Sequence, residues 1–233
     1  MKIVFGVSMK QTVFFLLFSV IIFSSVAQEK KVYTTTSGEI ILSWADINYN
    51  GDEAESVIRF SPVVNIQNYL NIDKSENLGF FTGLSIRNVG FIYDVPDQPG
   101  VRMKHRTYNL GVPIGIKLGN LNGKFLFAGY ELELPVHYKE KLFIDEDKED
   151  KITVWFSDRV PTFYHSLMAG VQLPYGATLK FKYYLTNFFN KDFEATDDQG
   201  NRIKPYENSD YNVFYFSLSF GLLKNTDFYY SND

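Results

Sequence analysis

Thr107-Tyr108-Asn109-Leu110-Gly111-Val112-Pro113-Ile114-Gly115-Ile116-Lys117-Leu118 carries an apolar side chain at every second position from Tyr108 onward, with small or polar residues between. Neighbouring side chains of a strand point to opposite faces, so a period of two predicts a strand with one oily face and one small or polar face. The next segment repeats the pattern. Leu126, Ala128, Tyr130, Leu132, Leu134 and Val136 alternate with a set that includes Gly129, Glu131, Glu133 and His137. Farther on, Leu179, Phe181, Tyr183 and Leu185 stand against Lys180, Lys182 and Thr186, and Phe214, Phe216, Leu218, Phe220 and Leu222 against Tyr215, Ser217, Ser219 and Gly221. Weaker versions occupy 38–48, 57–70, 78–93 and 159–173, which brings the number of segments to eight.

Several segments exceed the five or six residues usual in soluble strands and reach the roughly nine to eleven that cross a bilayer at a tilt. Their connections alternate in kind. Residues 73–77, 120–123 and 174–176 are short and rich in Gly, Asn, Asp or Pro, whereas 49–56, 94–102, 140–158 and 190–210 are long and polar. This asymmetry predicts an all-β fold: an eight-stranded antiparallel up-and-down transmembrane β-barrel with tight turns on the periplasmic side and long loops outside. Tyr49, Tyr93, Tyr138, Phe189 and Tyr211 then fall at the outer strand ends, where an aromatic belt is expected. Pro62, Pro113 and Pro135 lie inside strand segments. Proline removes a ladder donor, so bulges are expected there.

The N-terminus reads as targeting. Lys10 precedes an almost wholly apolar run, 13–23, and Ser25-Val26-Ala27 supplies the small residues of a cleavage site, so residues 1–27 are assigned as a cleaved signal peptide and 28–233 as one barrel domain. Met9-Lys10 would make a start of its own, which leaves the first residue open. Cleavage removes two of the 23 basic residues and none of the 27 acidic ones, shifting the net charge from −4 to −6. So acidic a chain is a poor partner for nucleic acid, which requires clustered cations. The chain has no cysteine, excluding disulfides and thiolate sites, and its aromatic content of 17% suits a membrane barrel.

Gly83-Leu84-Ser85-Ile86-Arg87-Asn88-Val89-Gly90, the stretch from Tyr108 to Lys117, and the Ala27-Gln28 signal ending together resemble the outer-membrane β-barrel family of Bacteroidota loosely called PorT-like, with an OmpA-like eight-stranded barrel. The resemblance covers essentially the mature chain and implies such a barrel without an assigned ligand or reaction. In one respect the chain departs from that pattern. Barrels of this kind commonly end on the aromatic of the closing strand, whereas residues 224–233 trail beyond Phe220 and Leu222.

Periodicity alone does not say which face points inward. A soluble lipocalin-like carrier would turn its oily face toward an internal ligand. The glycines, serines and threonines of the polar faces suit a narrow, crowded interior better, so the membrane barrel is favoured. Arg59, Arg87, Lys117, Glu131, Glu133, Lys180 and Lys182 should then point into the lumen and pair across it as a plug, since eight strands leave room for little beyond side chains.

No cofactor or metal is expected. The acidic run 145–150 and the stretch 197–201 lack the ligand order of a calcium loop and read as a solvated loop and a turn. Of the three histidines, His165 and Ser166 are strand neighbours on opposite faces, while His105 and His137 could both face the lumen with Glu140 and Asp158 as acid partners. Without a spaced motif, a lipid-modifying enzyme built on them is the alternative. The favoured expectation is a noncatalytic outer-membrane protein acting as an envelope structural, adhesion or assembly/secretion partner through long outer loops. Its expected contacts are outer-membrane lipid and the outer-membrane assembly machinery, with the external partner unidentified.

Overall fold

A computed structural model of the chain describes residues 31–197, 199–222 and 226–229. The expected signal peptide lies outside the described residues. Among those residues, a ring is formed by β1 (Lys31–Tyr49), β2 (in two pieces, Arg59–Ser61 and Ile66–Asp73), β3 (Leu78–Asp94), β4 (Val101–Gly119), β5 (Phe125–Ile144), β6 (Tyr164–Gln172), β7 (Thr178–Tyr184) and β8 (Asp210–Gly221). Each strand pairs antiparallel with its neighbour in sequence, and β1 pairs with β8 from Ser37↔Gly221 to Asn48↔Asp210, which closes the ring. Closure leaves no edge of unpaired backbone groups, the condition for placing strands in hydrocarbon.

The oily stripes point outward. On β4, Leu110, Val112, Ile114, Ile116 and Leu118 are 41–64% exposed, whereas Asn109 and Lys117 are buried. On β7, Leu179, Phe181 and Tyr183 are exposed and Lys180 and Lys182 buried. This is the reverse of a carrier that wraps apolar ligands. The three short turns share one end of the barrel, and the long connections share the other.

Three expectations change, the first two at the long-loop end. First, 140–158 is not a polar loop. Asp147–Trp155 returns along β5 as a hairpin, registered from His137↔Trp155 to Ile144↔Asp147, with its turn at Asp145 (φ 47°) and Glu146 (φ 71°). Two successive residues in the left-handed region match the twist of a tight hairpin. Likewise β3 and β4 remain paired as far as Asp94↔Arg102, so the sheet projects well past the oily band. Beyond that band the outward face carries Lys104, Arg106, Lys139 and Lys141 in place of oil, and the alternation that reveals a lipid-facing strand is lost.

Second, the aromatic belt is not a belt. Tyr93, Tyr138, Phe189 and Tyr211 are buried inside the barrel, where with Phe91, Phe188 and Tyr206 they form an apolar core. Phe189 stacks on Tyr206 with centroids 4.1 Å apart and meets Tyr211 edge-on at 4.8 Å. On their strands Tyr93, Tyr138 and Tyr211 occupy inward positions, and aromatic identity by itself does not specify a face. Third, the C-terminal stretch does not simply trail. Thr226–Tyr229 pairs with β1 from Thr34↔Thr226 to Lys31↔Tyr229, continuing the closing seam after an irregularity.

Two of the three prolines sit at register faults. Pro62 opens the excursion 62–65 between the two pieces of β2, across which the partner on β1 advances only from Ile41 to Gly38. Pro135 adjoins a one-residue bulge, since β5 passes from Asn109↔Pro135 to Tyr108↔His137 and leaves Val136 unpaired toward β4. Pro113 causes no shift. Pairing with β3 lapses between Thr82↔Ile114 and Ser85↔Gly111 and resumes in register, and the Thr82 hydroxyl donates to the Pro113 carbonyl at 2.8 Å.

Candidate functional site

At mid-height the lumen holds six ionisable side chains from four strands. Glu39 comes from β1, Arg87 from β3, Glu131 and Glu133 from β5, and Lys180 and Lys182 from β7 by way of the β6–β7 hairpin; all six are essentially buried. Three acids face three bases, so the cluster is neutral. Arg87 is its hub. Its Nε donates to Glu39 at 3.0 Å, one terminal nitrogen to Ser85 at 2.6 Å and to Glu131, and the other to Gln67 at 2.9 Å and Tyr69 at 3.1 Å. A guanidinium has five N–H groups, and here five acceptors meet them. Lys180 pairs with Glu39 at 2.7 Å, and Lys182 bridges Glu131, at 2.5 Å, and Glu133. The remaining carboxylate lone pairs take Asn109 and Tyr184 on Glu133 and Ser217 on Glu39.

Of the seven residues proposed from sequence, Arg87, Glu131, Glu133, Lys180 and Lys182 meet in this cluster. Lys117 faces the lumen but lies nearer the short-turn end, paired with Asp73 at 2.5 Å and donating to Tyr33 and Asn71 at 3.1 Å each. Arg59 does not join the lumen network. It is buried in the wall where β2 leaves its pairing, donating to the Asn88 carbonyl at 3.2 Å and to the Asn88 side-chain oxygen at 2.5 Å, with no carboxylate partner among the described residues. The excursion at Pro62 takes this part of β2 out of the regular barrel wall, so alternation counted through it does not predict the face. Glu39 and Asp73 escaped sequence reasoning. Glu39 alternates with Ile41, Ala45 and Ile47, so the inward face of β1 reads as apolar, and Asp73 reads as a turn residue.

Small residues make room for the cluster. A Cβ at Gly111 would lie 2.4 Å from both Glu131 Oε1 and Ser85 Oγ. Gly111→Val is therefore expected to destabilise the barrel by about 1–3 kcal/mol, as overpacking does. A lowered urea midpoint for the loss of heat-modifiable gel migration would show it; an unchanged midpoint would mean the cluster is loosely held.

Below the cluster, toward the short turns, a cavity of about 620 Å³ is lined by Tyr33, Tyr69, Phe81, Lys117, Phe127 and Gln172 among others. Above it the aromatic core fills the lumen. His105 lies in that core, 2% exposed, with its Nδ1 3.0 Å from the Tyr138 hydroxyl, which in turn donates to Glu140 at 2.5 Å. The expected pairing of His105 with Glu140 is present, at 3.6 Å, with the His105 ring buried and the Glu140 side chain 15% exposed. His137 is not its companion. The bulge at Val136 inverts the parity of β5, so that Glu131 and Glu133 point inward below it and Tyr138 and Glu140 above it, sending His137 to the outer wall against Trp155, with centroids 4.6 Å apart. His165 approaches the Tyr130 hydroxyl on the outer wall, whereas Ser166 is buried and donates to the Glu131 carbonyl, as opposite faces require. The 197–201 stretch is a turn held by its own contacts, with Asp197 Oδ1 accepting the Gln199 and Asn201 amides at 2.9 and 2.7 Å.

No protein-family model and no curated protein matches the chain. Among solved structures, Ail, the attachment invasion locus protein of Yersinia pestis, matches at 11% identity and a TM-score of 0.36, covering 83% of this chain and 98% of its own. Neisserial surface protein A matches at 9% identity and 0.36, covering 82% and 97%, and the translocator domain of the autotransporter NalP from Neisseria meningitidis at 9% and 0.26, covering 91% and 95%. At such distances the assignment of the fold rests on the strand pairing described above.

Proposed function

We propose that this chain is a noncatalytic outer-membrane β-barrel protein, set in outer-membrane lipid by its oily band and delivered there by an export signal cleaved near Ala27 and by the outer-membrane assembly machinery. The observation that carries this reading is a closed ring with exposed Leu, Ile, Val and Phe outside and a neutral, fully buried set of charges within. Exposed apolar surface on this scale opposes solubility in water and suits acyl chains. A lumen blocked by the charge cluster and the aromatic core argues for a role as an envelope structural, adhesion or assembly/secretion partner, exerted through the projecting sheet and the stretch 185–209. The PorT-like family of Bacteroidota remains the kinship we favour. Its two motif segments run side by side on β3 and β4, with Arg87 opposite Asn109.

Fractionation with protease treatment of intact cells tests both location and orientation. Cleavage is expected at the hairpin tip, 145–150, or within 190–210, and not at 120–123, in a protein that partitions with the outer membrane and migrates faster unheated than boiled. Recovery in the soluble fraction would refute the membrane assignment, and cleavage confined to the short turns would reverse the orientation.

A further inference from the structure

The projecting sheet carries an uncompensated basic face. On its outward side three rows cross β4, β5 and the hairpin strand Asp147–Trp155: Lys104, Lys141 and Lys151; then Arg106, Lys139 and Thr153; then Tyr108, His137 and Trp155. Lysines directly opposite one another on a sheet repel, and such pairs are normally avoided. Here three stand in line. Among the described residues none of Lys104, Arg106, Lys139, Lys141 and Lys151 has a carboxylate within ion-pair distance, while Arg102 next to them pairs with Asp94 at 2.7 Å. The carboxylates of this sheet make no ion pair with it: Glu140 is turned toward His105, Asp150 is registered with Leu142 on the opposite face, Glu149 sits at the bulge between Lys148 and Asp150, and Asp145, Glu146 and Asp147 are at the hairpin tip. Burial, then the charges of Arg59, Arg106 and Lys141, hold the Lys104 amine below the usual lysine value in this stretch, which lies beyond the oily band. The face is arranged for an anion that the described residues do not supply.

Its position identifies the anion. Lys104, Arg106 and Tyr108 share the outward parity of Leu110 to Leu118 on one unbroken strand, so the basic rows stand directly above the oily band on the outer wall and not at the barrel mouth. At about 3.4 Å per residue and a tilt near 40°, Arg106 lies roughly 10 Å above Leu110, at the level of lipid headgroups. Tyr108, His137 and Trp155, the last 67% exposed, form a row between the oil and the charges, where interfacial side chains belong. We infer that this face binds the phosphate groups of lipid headgroups in the leaflet at the long-loop end. The inference rests on the membrane reading above and adds a lipid class to it.

Native mass spectrometry of the full chain released from detergent tests it, with bisphosphorylated lipid A and its dephosphorylated counterpart as probes. The parent is expected to retain the phosphorylated lipid selectively. Arg106→Gln, Lys139→Gln and Lys141→Gln combined should weaken retention on the order of a hundredfold, at about a factor of five per cation, while the matching Lys→Arg pair at 139 and 141 retains it. Heat-modifiable migration confirms that each variant is folded; if the Gln variant does not fold, the Arg pair and the two lipids still decide. Equal retention of both lipids, or no loss in the folded Gln variant, would overturn the proposal and leave the barrel assignment standing. Binding to a soluble sulfated oligosaccharide without binding to phosphorylated lipid would also overturn it, in favour of a free polyanion.

Discussion

Arg87→Met should destabilise the barrel by about 3–5 kcal/mol, the range found when one partner is removed from a buried ionic cluster. The guanidinium supplies one of only three positive charges facing Glu39, Glu131 and Glu133, and each of these carboxylates lies within 3.6 Å of it or closer. Without it the cluster holds one carboxylate in excess, and Ser85, Gln67 and Tyr69 lose a donor together. The chain has just two tryptophans, Trp44 and Trp155, both on outward-facing positions, so urea unfolding in detergent can be followed by fluorescence and cross-checked by gel migration. The informative partner is Arg87→Met combined with Glu39→Gln. Restoring neutrality should return a substantial part of the loss, so the double variant should be milder than the sum of the two single ones. A single variant within about 1 kcal/mol of the parent would show that the lumen tolerates a bare carboxylate, which a dry interior does not.

How much of this was legible in the sequence follows from what alternation can and cannot report. Where lipid meets one face and a crowded lumen the other, as from Asn109 to Gly119, every side chain announces its direction, and five of the seven proposed charges were placed in the central cluster. Beyond the oily band the outward face meets polar surroundings, and the inward face mixes core aromatics with His105 and Glu140. Lys139 and Glu140 differ in direction but not in polarity, so the strands extending to Ile144 and the hairpin after it read as loop. Aromatics mislead for a related reason, because Tyr138 suits an interfacial belt and an interior core equally well. Register faults are the third blind spot. Pro62 and Pro135 flagged their vicinity, but a proline does not say how many residues the ladder skips, and that number determines the face of everything after it. Arg59 and His137 were misplaced on this account.

Insertion of one alanine between His137 and Tyr138 turns that last point into an experiment. Side chains alternate with a period of two and ladder partners share a face, so one residue added above the bulge would put Tyr138 opposite Arg106 and Lys139 opposite His105 if register with β4 were kept. Tyr138 and Glu140 would leave the aromatic core for the outer wall, and Lys139 and Lys141 would enter a space closed by Phe91, Phe188 and Phe189. Burying two lysines there without partners is prohibitive, since each unpaired charge costs several kcal/mol or so. The upper barrel should therefore come apart from the lower. Because the chain has no cysteine, single cysteines report direction cleanly: in the parent, a Lys139→Cys thiol should react with a bulky maleimide while a Tyr138→Cys thiol is protected. In the insertion variant that contrast should vanish, with both positions reactive and gel migration losing its heat dependence. Deletion of Val136 is the control, because it removes only the unpaired residue, leaves Asn109↔Pro135 and Tyr108↔His137 in place, and should keep the contrast. Should the contrast survive the insertion, β5 would have widened its bulge to keep its faces; should it vanish there and survive the deletion, the count of residues at the bulge is what allows one strand to serve the charged cluster below and the aromatic core above.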